Sequence, residues 1–393
     1  MTTVSGFHPL SAEFKQDPYP SYAWLRREQP VYHDEQTGWW ALSRYADVSA
    51  ALRNHSDFSS AQGIGSGRDD SRMLISTDPP DHTLLRSLVS KAFTPRMVAD
   101  LEPRIQAITN QLLDRALDSD AFDLTQDLAI PLPVTVIAEL LGVEPERRAD
   151  FKRWSDAFIG TGFDESDPEA DQALNDRTFA EFGEYFGAMV EARRRARRND
   201  LISALVAAQE DRDALTTEDI LMFCLLLLVA GNETTTNLIS NAALALMEHP
   251  DQMALLRERQ SLVPSMIEEA LRYDSPVQGL FRTTTHDVVV AGTTIPADQK
   301  VLMLYASANR DEAQFPDAGR FDISRTPNNH IAFGYGIHFC LGAPLARLEA
   351  RVVWETLLRR TKNLRPDPDR PAVRVDNFII RGLEHYPILF DPA

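Results

Sequence analysis

The sequence predicts a mainly α protein with small β-sheets, in which all 393 residues form one domain. Three observations carry this prediction. Most of the chain has helix-start residues followed by helical periodicity. Residues 216–248 form one helix of some 30 residues, apolar nearly all round in its middle, which is typical of a helix that crosses the centre of a large domain. No repeat, low-complexity tract or inter-domain linker divides the chain.

The first half should be helical apart from a long loop. Gly63, Gly65 and Gly67 place a loop at residues 55–72, and the Asp-Pro-Pro-Asp sequence at 78–81 precedes a helix. Gly142 is suited to end a short helix. Helices are expected at residues 18–28, 44–53, 81–92, 95–117 and 127–141.

The second half combines long helices with short strands. A helix at 174–198 ends in an arginine cluster that suits the negative end of the helix dipole. Further helices are expected at 216–248, 264–273 and 341–360, and strand-like segments at 288–291, 294–295, 301–305, 373–381 and 386–390.

Composition excludes several classes of protein. A net charge of −18 opposes nonspecific binding of nucleic acid. Two cysteines do not make a disulfide framework. The longest apolar run, residues 220–230, is shorter than the ~20 residues that span a bilayer, and the N-terminus does not resemble a secretion signal. We therefore expect a cytoplasmic monomer that binds neither nucleic acid nor membranes.

The decapeptide 333–342, FGYGIHFCLG, carries the strongest chemical signal. Three glycines surround Cys340 just before a helix, so backbone N–H groups and the positive end of that helix can stabilise its thiolate. A single thiolate without a second cysteine nearby does not suit zinc or an iron–sulfur cluster, whereas it suits an axial haem ligand. Cys224, within an apolar helix, is expected to be a packing residue.

This decapeptide resembles the signature of the cytochrome P-450 family, Phe-x-x-Gly-x-x-x-Cys-x-Gly, at Phe333, Gly336, Cys340 and Gly342. The resemblance implies the family's triangular-prism-like fold, with haem b held between the long central helix and the cysteine loop. It also implies a soluble bacterial-type monooxygenase that takes its electrons from a small ferredoxin and a ferredoxin reductase.

Further motifs extend the resemblance over nearly the whole chain. Glu233 and Thr234 interrupt the apolar helix after Gly231, and in the family such a pair takes part in oxygen activation and proton delivery. The structural alternative is a Thr234 hydroxyl bonded back to the preceding helical turn. Glu269 and Arg272 match the family's Glu-x-x-Arg pair, which interlocks with a later meander segment.

Four positions match residues that contact the haem propionates in the family. His82 and Arg86 share one face of a helix, because they are four residues apart. Arginine suits carboxylates through its fork of donors. The four propionate candidates are His82, Arg86, Arg282 and His338.

The resemblance also indicates five substrate-contact regions, one of which is the turn around residues 158–175. Apolar side chains in the other regions predict a neutral, mostly hydrocarbon substrate of terpenoid, steroid or polyketide type. Arg68 and Arg72 are the counter-argument, since either could meet a carboxylate. The candidates are Ile64, Leu74, Leu226, Val229, Ala230, Val277, Leu280, Phe378 and Ile379.

The activity expected from this resemblance is insertion of one atom of O2 into a C–H bond of a small to medium hydrophobic molecule. Two alternatives stay open. One is another oxidation by the same family, such as epoxidation, demethylation or phenol coupling. The other is a haem-based sensor without catalysis, which has no need of an acid–alcohol pair.

Overall fold

The computed structural model describes residues 6–69, 71–117, 122–160, 168–212 and 215–392. Helices form most of this part of the chain, as the periodicity predicts. In chain order they are α1 (Ala12–Gln16), α2 (Tyr19–Glu28), α3 (Tyr45–Arg53), α4 (Asp81–Ala92), α5 (Pro95–Asp100), α6 (Glu102–Leu117), α7 (Pro131–Leu141), α8 (Arg148–Gly160), α9 (Pro168–Arg195), α10 (Leu201–Arg212), α11 (Thr217–Glu248), α12 (Pro250–Glu258), α13 (Val263–Tyr273), α14 (Tyr305–Ala308) and α15 (Ala343–Arg360).

Short strands form four small sheets. The strands are β1 (Val31–His33), β2 (Trp40–Leu42), β3 (Phe58–Ser59), β4 (Phe122–Asp123), β5 (Leu280–Thr284), β6 (Val288–Val290), β7 (Thr293–Ile295), β8 (Lys300–Met303), β9 (Thr361–Pro366), β10 (Val373–Arg374), β11 (Leu383–His385) and β12 (Pro387–Pro392). The largest sheet has the order β1-β2-β8-β5-β3, with only the β2–β8 pair parallel. The others are β4-β12-β9, β6-β7 and β10-β11.

Helix α11 is the long central helix against which several other helices pack. Thr216 caps its N-terminus and forms a reciprocal capping box with Asp219. The helix then packs against α7, α8, α9, α13 and α15, which together bury much of its apolar surface in the main core. The predicted central helix of 216–248 is thus confirmed almost to the residue. Because its neighbours lie on several sides, side chains along this helix reach both the core and a cavity.

Several predicted boundaries are wrong. The helix expected at 95–117 is two helices, because the chain turns at Leu101 and Pro103 begins a new first turn without needing a backbone donor. Residues 127–141 begin in a π-helical turn, Leu124–Ala129, before Pro131 starts α7.

Some predicted strands are shorter than expected, whereas β7 and β12 extend beyond the predicted segments 294–295 and 386–390. The strand at 373–381 is limited to β10, and the one at 301–305 ends at Met303, after which the chain forms α14. Helices α8, α10 and α12 were not assigned from the sequence, nor were strands β1, β2, β5 and β9.

Two stretches are long and apolar enough to cross a membrane by length and composition, Leu124–Leu141 and Thr217–Glu248. In the protein, 67% and 50% of these windows are buried. Because the buried core helix of a soluble protein passes the same test, the two stretches are weak evidence for a membrane span.

Candidate functional site

A cavity of about 220 Å³ lies between α11 and the loop 333–342. Its wall is mostly apolar, with a few polar groups near the loop. The predicted site residues among its lining are Leu74, Arg86, Leu226, Ala230, Thr234, Val277, Leu280, Arg282, Phe333, His338, Cys340 and Gly342.

The loop holds Cys340 at the cavity wall by backbone contacts. The Cys340 N–H donates to the Phe333 carbonyl at 2.9 Å. Gly336 has a φ of +71°, and a side chain there would collide with the Leu52 carbonyl at the end of α3, so glycine is required twice over. The loop is thereby fixed against α3 on one side and continues into α15 on the other.

Opposing influences act on the pKa of Cys340. Burial raises the pKa of the Cys340 thiol, while the backbone N–H groups of Gly342 and Ala343 and the nearby charges of Arg86 and Arg347 lower it. The backbone N–H groups were predicted from the sequence, whereas the charges of Arg86 and Arg347 and the burial that outweighs all of these groups were not. A metal ion deprotonates a coordinating thiol outright, so the bound state does not depend on this balance.

The cavity end nearest Cys340 is cationic. Arg86 donates through Nη2 to the Phe339 carbonyl at 2.7 Å, which attaches α4 to the cysteine loop. Arg282 is buried on β5 and donates to its neighbour's carbonyl. The His82 and His338 rings lie 4.4 Å apart, centroid to centroid. Of the four, His82 is outside the described cavity lining and reaches the site through His338.

These groups suit the carboxylates of a haem. The Nε2 atoms of His82 and His338 are buried without a hydrogen-bond partner in the described part of the chain. Burial, together with the charges of Arg282 and Arg86, lowers the pKa of His338 to about 2. The ring is therefore neutral, and its Nε2 is available for a hydrogen bond to a ligand. Two arginines keep further donors available. A cavity with a thiol in its wall and unused donors beside it therefore fits a haem.

Thr234 and Glu233 lie on α11. The Thr234 hydroxyl donates to the Ala230 carbonyl at 2.8 Å, so the back-bonded alternative is the geometry present, yet the side chain also lines the cavity. Burial raises the pKa of Glu233 to about 7, so this carboxyl can both hold and release a proton near neutrality. Glu233 itself does not line the cavity.

Neighbouring residues of the same motif are occupied in packing. A side chain at Gly231 would collide with Ile137 of α7, so another helix, rather than a ligand alone, approaches the backbone there. The Asn232 amide donates to the Ser155 hydroxyl at 2.8 Å, and the Thr236 hydroxyl donates to the Ala129 carbonyl at 2.9 Å. These contacts account for polar residues in the middle of an apolar helix.

Glu269 and Arg272 are fully buried and form a bidentate pair with both distances at 2.8 Å. Arg272 also donates to the carbonyls of Asn309, Ala318 and Arg320. Glu269 accepts further bonds from the segment 322–328. The pair thus holds the meander that leads into the cysteine loop.

Four substrate candidates lie outside the described cavity wall. Phe378 stacks on Trp39 at 5.8 Å, and Ile379 packs against the same small core. Val229 packs in the main core, about 100° around the helix from Ala230. Ile64 is half-buried, and its carbonyl accepts from the Phe281 N–H. Of the turn around 158–175, residues 161–167 lie outside the described residues.

Comparison with known proteins agrees with this geometry. The family model described as cytochrome P-450 matches residues 171–378. The steroid C26-monooxygenase of Mycobacterium tuberculosis is 39% identical over 375 residues, covering 95% of this chain and 94% of that protein.

The chain belongs to the cytochrome P-450 family. Its fold matches the structure of cytochrome P-450 CYP109Q5 from Chondromyces apiculatus with a TM-score of 0.90 at 43% identity, covering 99% of both chains. It also matches CYP109E1 from Bacillus megaterium in complex with corticosterone, with a TM-score of 0.89 at 39% identity, covering 96% of this chain and 99% of that one. The protein is a cytochrome P-450 monooxygenase with the family's fold, and the family implies a haem with a cysteine thiolate ligand.

Sequence reasoning missed much of the P-450 cavity wall. Tyr305 lines it from α14 and hydrogen-bonds with Arg282. The other missed residues are apolar, and their sequence patterns are those of ordinary core helices, so no local signal distinguished them. They include Ile75, Phe93, Ile137, Leu140, Phe223, Leu227, Leu238 and Leu271.

Proposed function

We propose that this cytochrome P-450 inserts one atom of O2 into a C–H bond of a small to medium hydrophobic substrate, with Cys340 as the thiolate ligand of haem b. The observation that carries the proposal is one cavity that brings together Cys340, unused donors at Arg86, Arg282 and His338, and Thr234 on the facing helix. The bound haem would supply the activation of O2 with two electrons.

The residues of this chain would hold and orient the haem and would deliver protons to the cavity. Arg86 and Arg282 would bind the haem carboxylates with their fork of donors, and His82 and His338 would add single ring donors. Because the Thr234 hydroxyl donates its hydrogen bond to the Ala230 carbonyl, it presents lone pairs to the cavity and would accept a hydrogen bond from a ligand there. Glu233, with a pKa of about 7, would relay protons from outside.

The test of the ligand compares the two cysteines. Reduced wild-type protein with carbon monoxide should show the red-shifted Soret band of a thiolate-bound haem. Cys340→Ala should lose that band, whereas Cys224→Ala should keep it, because Cys224 is fully buried in the core. The opposite behaviour of the two variants would refute the assignment.

The substrate class follows from the apolar wall. Burial of hydrocarbon against it gains about 25 cal/mol per Å², and the wall away from the cysteine loop offers little to a charge. Relatives named for steroid oxidation, or solved with corticosterone, make neutral steroids the first compounds to test. Arg68 and Arg72, the counter-argument, are both exposed, and Arg72 lies 3.8 Å from Asp81.

A spectral titration with matched pairs tests this class, using a neutral steroid and its carboxylate on the same skeleton. We expect the neutral member to bind at least about tenfold more tightly, because an unpaired buried charge costs several kcal/mol. Tighter binding of the carboxylate, lost in Arg68→Gln or Arg72→Gln, would overturn the apolar proposal.

We also propose that electrons come from a separate small ferredoxin and its reductase, and that the enzyme acts as a cytoplasmic monomer. A free thiol at Cys340 suits a reducing compartment, and the family resemblance supplies the class of redox partner.

A further inference from the structure

A second, much smaller cavity adjoins the main one. Its volume is about 10 Å³, close to the smallest space that holds one water molecule. Its lining comes from α4, α10, the start of α11 and the segment 72–74. Leu74 and Phe223 belong to the lining of both cavities.

We call Leu74 and Phe223, which line both cavities, the partition between them. They are only 8% and 5% exposed, and they approach from different elements, Leu74 from a short helical turn before α4 and Phe223 from α11. Leu74 also packs in a small cluster with Leu85 and Leu215, on the side of the smaller cavity. Both residues shared by the two cavities are therefore apolar and nearly fully buried.

The direction of the smaller cavity follows from helix geometry. Phe223 precedes Thr234 by eleven residues on α11, about 16 Å at 1.5 Å per residue. Asp219, which also lines the smaller cavity, lies about 6 Å from Phe223 along the helix, towards the start of α11. The smaller cavity thus continues the main one away from Thr234, towards the start of α11.

We propose that Leu74 and Phe223 are specificity-determining residues that set the maximum length of the substrate. This inference rests on the proposed function, since it takes the main cavity to be the site of a hydrophobic substrate. A molecule whose reacting end lies near Thr234 extends along α11 until it meets the partition. Shortening either side chain joins the two spaces and admits a longer molecule.

The expected effect can be measured with chain length. Each methylene transferred from water into an apolar site improves the dissociation constant about fourfold. Affinity should therefore rise along a homologous series and level off once the chain reaches the partition. Leu→Ala removes about three carbons, which leaves room for two or three further methylenes.

The experiment is calorimetric titration of the haem-loaded enzyme with neutral straight-chain alcohols that lengthen two carbons at a time. In the wild type the plateau marks the partition. In Leu74→Ala, and independently in Phe223→Ala, the rise should continue for one more member of the series, with a gain of about tenfold or more for that member. A carbon monoxide difference spectrum verifies the fold of each variant, and Leu74→Val and Phe223→Leu replace any variant that does not load haem.

The matched control is Leu85→Ala. This variant makes the same change in the same cluster. Of the two cavities, however, Leu85 lines only the smaller one. Its plateau should stay at the wild-type length. A plateau unchanged in the Leu74 and Phe223 variants overturns the partition while leaving the proposed function intact. A wild type that binds none of the alcohols, or binds them without length dependence, instead contradicts the hydrophobic substrate on which the inference rests.

Discussion

The Thr234 hydroxyl donates a hydrogen bond to the Ala230 carbonyl, and this bond limits what the side chain offers to the cavity. A hydroxyl has one donor and two acceptor sites. With the donor used inside the helix, Thr234 faces the cavity as an acceptor with a fixed orientation. The back-bonded geometry and a functional role are therefore compatible.

Replacement of this residue should uncouple electron use from product formation. Thr234→Ala should still bind haem and substrate and still consume NAD(P)H through a redox partner, because the rest of the cavity is unchanged. Loss of one hydrogen bond, worth about 1 kcal/mol, should lower the product formed per NAD(P)H by up to about tenfold. The difference should appear as hydrogen peroxide in a peroxide assay.

The matched control for that variant is Thr234→Ser, which keeps the hydroxyl and should keep most of the coupling. Equal product per NAD(P)H in wild type and Thr234→Ala would remove Thr234 from the mechanism.

At the scale of elements, adjacent glutamates on α13 have different environments. Glu269 is fully buried and bonded to Arg272, Arg325 and Asn328, whereas Glu268 is 30% exposed and pairs with Arg347 and His330. Hydrogen bonds from Arg347 and His330 outweigh burial and lower the pKa of Glu268 to about 2. The buried pair supports the meander, and the half-exposed one joins α13 to α15.

These environments predict different costs for the same substitution. Glu269→Gln leaves the buried guanidinium of Arg272 and the mostly buried one of Arg325 without their anion and should lower the free energy of unfolding by about 3–5 kcal/mol. Glu268→Gln should cost less than this, because Glu268 and Arg347 are 30% and 36% exposed and solvent screens their pair. Urea unfolding of the haem-loaded proteins measures both values. Similar costs for the two variants would contradict a buried structural role for Glu269.

The elements also show what the sequence could predict. The loop around Cys340 was predicted because its glycines and cysteine are adjacent in the chain, and α11 because a long apolar run with a capping box is a local signal. Phe378 and Ile379 were placed in the wall by analogy, but the direction of a side chain in a loop depends on long-range packing, here against Trp39. Tyr305 and Phe93 reach the site only through tertiary contacts, and their sequences do not mark them.

At the scale of the whole molecule, a charge of −18 would repel the ferredoxin proposed above if that partner is acidic, so docking would need a local group of cations. Arg347, on the helix after Cys340, is one candidate docking cation, but Glu268 holds its guanidinium in two bonds of 2.7 and 2.8 Å, so the pair is nearly neutral. Arg53 is a better candidate. It is exposed, and it lies 4.4 Å above the ring of Tyr335, an exposed residue of the cysteine loop.

The rate of reduction by a ferredoxin should therefore fall as salt rises, because the Debye length shrinks from about 10 Å at 0.1 M to about 3 Å at 1 M. Arg53→Gln should slow reduction several-fold at low salt, and Arg177→Gln on α9 is the comparison with an equal change in net charge. Stopped-flow reduction measures both. A rate indifferent to salt, or equal in the two variants, would remove electrostatic docking at this loop.

On helix α11, the residues that line the cavity and the residues that bond to neighbouring segments lie on different faces. Ala230 and Thr234 line the cavity, while Asn232 and Thr236 are bonded to neighbouring segments. For natural divergence and for laboratory evolution, this means that the choice of substrate can drift at Leu226 or Ala230 with little damage to the scaffold. Replacing Asn232 or Thr236 by an apolar residue instead removes a buried hydrogen bond to the Ser155 hydroxyl or to the Ala129 backbone carbonyl. A mutational library of this helix should accordingly yield altered substrate preference at the first pair and loss of folded protein at the second.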